Sequence, residues 1–185
     1  MAVLVCGGAG YIGSHVVREL LKQNIETVVI DSLEYGHKEA IKDCKNFYQG
    51  NIGDSALLDE IFTKHNIDSV MHLCAYIEVG ESVQNPAKYY HNNVSNSINL
   101  LNAMLRAKVK NFIFSSTAAV YGEPEAIPLK EDCRKEPTNP YGDSKLALEK
   151  ILAWYTKAYD FNYVALRYFN ASGAHPDGDI GEDHN

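Results

Sequence analysis

The sequence predicts an α/β fold built on a doubly wound parallel sheet. Apolar runs rich in β-branched residues recur along the chain and alternate with helical patterns. The nearly continuous hydrophobicity of these runs indicates strands that are buried on both faces, as in a parallel sheet. A glycine-rich turn separates the first run from the first helical pattern. Alternation of this kind is typical of doubly wound α/β sheets.

The elements follow in order along the chain. We expect strands at residues 2–6, 27–30, 46–48, 69–73, 111–115 and 163–166, and helices at residues 11–23, 55–65, 86–107 and 141–159. Asp54 suits the N-cap of the second helix, and Asn85 with Pro86 suits the start of the third. A doubly wound sheet of six strands predicts the order 3-2-1-4-5-6, the Rossmann arrangement.

A dinucleotide site is predicted at the first turn. Gly7, Gly10 and Gly13 lie between a strand and a helix, where backbone N–H groups can approach a pyrophosphate at the helix N-terminus. Asp31 ends the second strand, where a carboxylate accepts hydrogen bonds from the adenosine ribose hydroxyls and repels a 2′-phosphate. The sequence therefore favours NAD over NADP.

A general base is predicted near the start of the last helix. Tyr141 and Lys145 are four residues apart and share one helix face, directly after Pro140. An ammonium beside a phenol favours the phenolate, so we expect Lys145 to lower the pKa of Tyr141. Such a base can take a proton from an alcohol near neutral pH. Together with the dinucleotide site, the pair indicates hydride chemistry at a sugar or alcohol carbon.

Composition narrows the class of protein. The 185 residues suit one domain or slightly more, and 45% of them are hydrophobic. The net charge of -7 disfavours non-specific nucleic-acid binding. The four cysteines form no zinc-binding spacing, and no apolar run reaches the ~20 residues of a membrane span. Residues 1–5 show no basic region and no cleavage site, so we expect no secretory leader. We expect a soluble cytoplasmic protein with no metal site and no nucleic-acid or membrane partner.

From residue 3 to residue 183 the chain resembles the UDP-glucose 4-epimerase family, within the extended short-chain dehydrogenases/reductases. The motifs that carry this resemblance are residues 7–15 (GGAGYIGSH), 79–83 (VGESV), 92–94 (NNV), 111–116 (NFIFSS), 120–122 (VYG), 140–142 (PYG) with Ser144 and Lys145, 167–170 (RYFN) and 173–176 (GAHP). The resemblance implies an NAD-dependent interconversion of UDP-galactose and UDP-glucose through a 4-keto intermediate.

The resemblance also implies roles for individual residues. The catalytic residues would be Thr117, Tyr141 and Lys145, and the substrate would contact Thr117, Tyr141 and Asn170. At the cofactor, the pyrophosphate would be lined by Gly7, Gly10, Tyr11, Ile12 and Gly13, and the adenosine by Asp31, Ser32, Leu33, Glu34, Tyr35 and Gly36. The adenine would be flanked by Asn51 and Ile52, and the residues beneath the cofactor would be Leu73, Cys74, Ala75, Tyr76 and Ile77, with Asn92 near it. Lys145 would contact the ribose and Phe169 the nicotinamide.

Two alternative functions stay open from the residues. A 4,6-dehydratase or decarboxylase acting on a nucleotide sugar would use the same cofactor residues. Ala118 and Ala119 disfavour it, because neither can donate or accept a proton where related dehydratases carry an acid. A non-enzymatic NAD-binding module is the second alternative, and the intact set of Thr117, Tyr141 and Lys145 disfavours it.

The resemblance further implies that family members run on well beyond this chain. We expect an NAD-binding domain at residues 1–170 and the beginning of an incomplete substrate domain at residues 171–185. By itself the 185-residue chain is expected to bind NAD weakly and to show no epimerisation. A homodimer through the helices at 86–107 and 141–159 is a further expectation.

Overall fold

The computed structural model describes residues 1–183, which contain a six-stranded parallel sheet. Its strands are β1 (Ala2–Cys6), β2 (Glu26–Asp31), β3 (Asn46–Gln49), β4 (Ile67–His72), β5 (Asn111–Thr117) and β6 (Asn162–Tyr168). They pair in the order β3-β2-β1-β4-β5-β6, and every pairing is parallel. The predicted doubly wound fold and its sheet order are therefore confirmed.

The helices lie where the sequence predicts them, with two differences. They are α1 (Tyr11–Lys22), α2 (Ser55–Lys64), α3 (Val79–Gln84), α4 (Pro86–Tyr89), α5 (Asn96–Arg106) and α6 (Pro140–Tyr159), with short 3₁₀ turns at Lys38–Ile41 and Ala118–Tyr121. The short helix α3 was not expected. The helix predicted at 86–107 is interrupted by a π-helical turn at Tyr90–Ser95, a geometry that is frequent at functional sites.

The predicted helix starts are confirmed by their hydrogen bonds. Asp54 accepts from the backbone N–H groups of Ala56 and Leu57 at 3.0 and 3.1 Å, so it caps α2. Asn85 accepts from the N–H of Lys88 at 3.3 Å, so it caps α4. These side chains satisfy donors that the first helical turn leaves without an intrahelical partner.

Apolar layers cover both faces of the sheet. One face packs against helices α2, α5 and α6 through residues such as Leu58, Met104 and Leu148. The other face packs against α1 and the first 3₁₀ turn through residues such as Val17 and Ile41. Burial on both faces explains the continuous apolar runs of the strands. The strand order reverses between β1 and β4, since β2 and β3 lie on one side of this point and β5 and β6 on the other. Open α/β sheets bind ligands in the crevice at the carboxyl ends of the strands at such a point.

The segment after β6 returns to helix α1. The Arg18 guanidinium donates two hydrogen bonds to the carboxylate of Asp179, at 2.6 and 2.7 Å, and Ile180 is buried beside it. The domain boundary expected near residue 170 stays a prediction, and residues 184 and 185 of the expected second domain lie outside the described residues. Among residues 1–183, every helix falls short of the length and apolarity that a membrane crossing requires.

Candidate active site

The turn after β1 requires glycine at two positions. Gly7 has a φ of +80°, and a Cβ at this position would lie 2.7 Å from the backbone nitrogen of Cys74. A Cβ on Gly13, in the first turn of α1, would overlap the carbonyl oxygen of Gly7. Without side chains at these points, helix α1 begins close against β1, and its N-terminus faces the crevice.

Helix α1 leaves its N-terminal donors available to a ligand. Gly10 is the N-cap, it provides no side-chain hydrogen bond, and the first turn contains no acidic residue. A helix N-terminus with N–H groups of this kind attracts an anion through hydrogen bonds and the helix dipole. This end of the cleft therefore fits the pyrophosphate of a dinucleotide.

Asp31 is fixed by the backbone at the end of β2. Its Oδ2 accepts from the N–H of Ala9 in the glycine turn, and its Oδ1 accepts from the N–H of Leu33, both at 2.9 Å. The carboxylate therefore orders the glycine turn and its own loop. Each carboxylate oxygen has a second lone pair with which it can accept from a ribose hydroxyl.

An open cleft of about 130 Å³ brings most of the predicted cofactor residues together. It is lined by Gly7, Gly10, Asp31, Ser32, Glu34, Tyr35, Gly36, Asn51, Ile52, Leu73, Cys74, Ala75, Tyr76 and Asn92, together with Ile30 and Gly50, which were not predicted. Leu33 differs from its neighbours, because its side chain packs with the core on the α1 face of the sheet and does not line the cleft. Its contact with the cofactor stays a prediction.

A larger cleft of about 970 Å³ adjoins the first and shares with it Gly7, Gly10, Tyr35, Leu73, Ala75 and Tyr76. The other predicted site residues that line it are Tyr11, Ile12, Gly13, Ile77, Thr117, Tyr141, Lys145, Phe169 and Asn170. The three predicted catalytic residues therefore face the same space as the glycine turn. Phe169 is exposed, with 66% of its surface accessible to solvent.

Lys145 is buried at the centre of the site. It retains only 3% exposure, and its Nζ donates to the carbonyl oxygen of Ser115 at 2.8 Å. Burial lowers the pKa of Lys145 to about 8, while the neighbouring Cys74 thiol acts in the opposite direction. The lysine is thus fixed below the end of β5, one turn along α6 from Tyr141.

The direction of the Tyr141 pKa differs from the prediction. Burial raises the pKa of the phenol, and a hydrogen bond with the Thr117 side chain lowers it in part. The expected lowering by Lys145 is therefore wrong for this structure, because loss of solvent outweighs the favourable contacts. Thr117 itself accepts from the N–H of Ala119 at 3.1 Å, which fixes its hydroxyl at the end of β5.

Helix α6 is held at the site by its first turn. Asn139 caps the helix by accepting from the N–H of Gly142 at 2.9 Å, and Pro140 takes the first helical position. A proline there loses no intrahelical hydrogen bond, so the start of the helix is well defined. Tyr141 and Lys145 consequently project from the end of the helix that is nearest to the glycine turn.

Asn93 is a site residue that sequence reasoning missed. It is buried in the π-helical turn, where its side chain bonds the backbone of Tyr76 and lies 3.1 Å from the Ser144 hydroxyl. Its neighbour Asn92 lines the cleft as predicted and donates to Asn93 Oδ1 at 3.1 Å. The sequence signal for this role was the pair of adjacent asparagines, Asn92 and Asn93. A side-chain amide can both donate to and accept from backbone groups of another segment.

Comparison with known proteins identifies the family. Residues 3–184 match the NAD dependent epimerase/dehydratase family. The chain belongs to this family. Its curated relatives include UDP-glucose 4-epimerases of Halalkalibacterium halodurans and Lactobacillus helveticus, 55% and 53% identical over 184 residues. These matches cover 100% of this chain but 55% and 56% of the relatives, so the chain spans about half the length of the curated relatives it matches.

Solved structures give the same result. A UDP-glucose 4-epimerase from Brucella ovis in complex with NAD superposes with a TM-score of 0.96 at 48% identity, over 99% of this chain and 56% of that one. One from Bifidobacterium longum in complex with NAD⁺ and UDP superposes with a TM-score of 0.93 at 38% identity, over 99% and 57%. The expected family and its association with NAD are confirmed.

Arg167, in the family motif at 167–170, has a structural role beside the site. Its guanidinium donates to both carboxylate oxygens of Glu149, at 3.0 and 2.7 Å, and to the Tyr121 hydroxyl at 2.7 Å. Glu149 in turn accepts from the hydroxyl of Ser116, the residue before Thr117, at 2.5 Å. The ion pair and the Ser116 bond therefore fix the end of β5 against α6 and β6.

Proposed function

We propose that the protein containing this chain is an NAD-dependent epimerase that interconverts UDP-galactose and UDP-glucose through a 4-keto intermediate. The observation that carries the proposal is the placement of Thr117, Tyr141 and Lys145 on the wall of one large cleft that is continuous with the glycine turn. The names of the family's relatives support this choice of substrate.

The residues present fit NAD. The open N-terminus of α1 suits the pyrophosphate, the fixed carboxylate of Asp31 suits the adenosine ribose, and Asn51 and Ile52 lie at the adenine end. When bound, NAD supplies the acceptor and donor for the hydride at sugar C4. Because NAD is regenerated in each turnover, we expect it to stay bound as a prosthetic group.

The chain's own residues move the proton. The Tyr141 oxygen takes the proton of the sugar 4-OH and later returns it, while the Thr117 hydroxyl orients that group. The contact with the Thr117 side chain favours the phenolate against the effect of burial, and the Lys145 ammonium is fixed on the carbonyl of Ser115, one turn along α6. Closure of the cleft around the sugar would hold these atoms in reach of each other.

The residues after Thr117 favour epimerisation over elimination. Ala118 and Ala119 line the cleft directly beside it, and neither side chain can transfer a proton. Loss of water from the sugar would need an acid at this place. Incubation of the full-length protein with UDP-glucose and UDP-glucuronate tests this, and a stable 4-keto-6-deoxy product or released carbon dioxide would reject the proposal.

The direct test is Tyr141→Phe in the full-length protein. The substitution keeps the ring and removes the proton-transferring oxygen, so UDP-galactose conversion should nearly vanish while NAD stays bound. Tyr48→Phe is the matched control, because the Tyr48 hydroxyl bonds His65 at 2.9 Å and the residue lines neither cleft. Full activity in Tyr141→Phe would refute the mechanism.

A homodimer is part of the proposal. Trp154 and Tyr159 on α6 are 66% and 50% exposed, and Tyr90 in the π-helical turn is 36% exposed. An exposed apolar face on these helices suits a second copy. Light scattering tests it: Trp154→Glu should convert a dimer into a monomer, and a wild-type monomer would exclude the interface. The cytoplasmic location stays a prediction.

A further inference from the structure

One hydrogen bond connects the two sides of the nucleotide cleft. The Tyr76 hydroxyl donates to Oε2 of Glu34 at 2.8 Å. Tyr76 follows β4, Glu34 follows β2, and β1 lies between these strands in the sheet. The bond therefore joins segments that follow strands about 10 Å apart, across the end of β1 where the glycine turn begins. Both residues line the cleft.

Tyr76 is held in place through both its backbone and its ring. Asn93 bonds both its backbone N–H and its carbonyl. Lys88 Nζ lies 4.2 Å from the ring centroid and is itself held by Glu81 at 2.6 Å. Burial and the bond to Glu34 raise the pKa of Tyr76 to about 12, so the hydroxyl keeps its proton near neutral pH.

The partner side is the one that can open. Glu34 is exposed in the loop after β2, where its own N–H is bonded to the Ser32 side chain at 3.3 Å. A fixed phenol meeting an exposed carboxylate forms a contact that rotation of one side chain can break. At this point the cleft thus has a rigid side at Tyr76 and a movable side at Glu34. They are joined by this side-chain hydrogen bond and by the edge-on contact of the Tyr35 and Tyr76 rings at 6.1 Å.

We propose that the bond between Tyr76 and Glu34 is a latch that closes the cleft over the dinucleotide and slows its release. The proposal rests on the proposed function only in that the cleft holds NAD. A dinucleotide that followed the glycine turn from β2 toward β5 would pass between the latch and the end of β1, and its release would then require the bond to open. The proposed role of the latch is retention of the cofactor.

The test measures NAD release directly. Full-length protein loaded with radiolabelled NAD is mixed with a large excess of unlabelled NAD, and retained label is followed on filters. Tyr76→Phe should release label about tenfold faster, the loss expected for one hydrogen bond to a charged group. Glu34→Ala should do the same, and Glu34→Gln, which keeps an accepting oxygen, should stay near wild type. Tyr48→Phe again serves as the matched control.

The double variant decides whether the two residues act through one bond. Tyr76→Phe with Glu34→Ala should release NAD no faster than the quicker single variant, because each substitution already breaks the latch. Independent effects that multiply, or a wild-type release rate in Tyr76→Phe, would overturn the proposal. Wild-type protein that retains NAD but turns over no UDP-sugar would refute the proposed function and leave the latch result unaffected.

Discussion

The side chain of Asn93 brackets the backbone of Tyr76. Its Oδ1 accepts from the Tyr76 N–H at 2.9 Å, and its Nδ2 donates to the Tyr76 carbonyl at 3.0 Å. The same Nδ2 lies 3.1 Å from Oγ of Ser144, which is adjacent to Lys145 in α6. One buried amide therefore joins the loop after β4, the π-helical turn and the catalytic helix.

This arrangement predicts a high cost for Asn93→Ala. The substitution leaves a backbone donor and a backbone acceptor of Tyr76 without their partner, and each such loss costs about 1–3 kcal/mol. We expect the free energy of unfolding to fall by about 2–4 kcal/mol in urea denaturation, together with faster NAD release. Asn102→Ala is the control, because Asn102 is an exposed asparagine on α5 that lines neither cleft. A loss no larger than in this control would show that the bracket carries little stability.

The ion pair of Arg167 and Glu149 predicts a second stability difference. Their side chains are 19% and 9% exposed, so Arg167→Met leaves a carboxylate with little solvent. Breaking one side of a buried pair costs about 3–5 kcal/mol, and partial exposure places this pair near the lower value. Arg106→Met is a matched control, since Arg106 pairs with Asp59 at 2.7 Å with both side chains about half exposed, and such pairs contribute about 0–1 kcal/mol. Equal losses in urea denaturation would contradict the assignment.

The fold was predictable because its signals are local. Strands such as Ala2–Cys6 are buried on both faces, so their sequence is apolar without interruption, and the glycines between β1 and α1 are required by contacts within one turn. Caps such as Asp54 act within three residues of their own position. Each of these patterns involves residues that are close in the sequence, so it can be recognised without knowledge of the fold.

The parts that could not be predicted depend on contacts between distant segments. The role of Asn93 needs the loop at Tyr76 and the helix at Ser144 to meet it. The raised pKa of Tyr141 depends on burial by the whole site, which the spacing to Lys145 does not reveal. Leu33 was expected at the adenosine because the family resemblance implies that role for the whole segment 32–36, although its own side chain packs with the core.

Alanine substitutions at two glycines, Gly13 at the glycine turn and Gly80 in α3, are expected to have opposite effects on stability. Gly13→Ala places a methyl group against the Gly7 carbonyl oxygen, so helix α1 must move away from β1. We expect lower stability in urea denaturation and loss of NAD retention. Gly80→Ala, in α3, meets no atom within 4 Å and should raise stability by up to about 1 kcal/mol through helix propensity. Normal NAD retention in Gly13→Ala would contradict the proposed pyrophosphate position.

The buried Lys145 predicts a pH dependence of stability with a definite sign. Its pKa is about 8 in the folded chain, because burial disfavours the charged form, against about 10.4 in an unfolded chain. Between these values the unfolded state binds more protons, so the contribution of Lys145 to the unfolding free energy rises with pH. Below pH 8 its full destabilising effect is present.

The measurement compares wild type with Lys145→Met after removal of bound dinucleotide, by urea denaturation from pH 7 to pH 10.5. The unfolding free energy of wild type minus that of the variant should rise by about 3 kcal/mol over this range. Taking the difference cancels the titration of those cysteines and tyrosines that do not interact with Lys145. Lys150→Met, an exposed lysine on the same helix, controls for loss of a lysine as such. A difference that stays level or falls with pH would show that Lys145 keeps its proton when it is buried. The folded site would then stabilise the charged form of the lysine and not the neutral form.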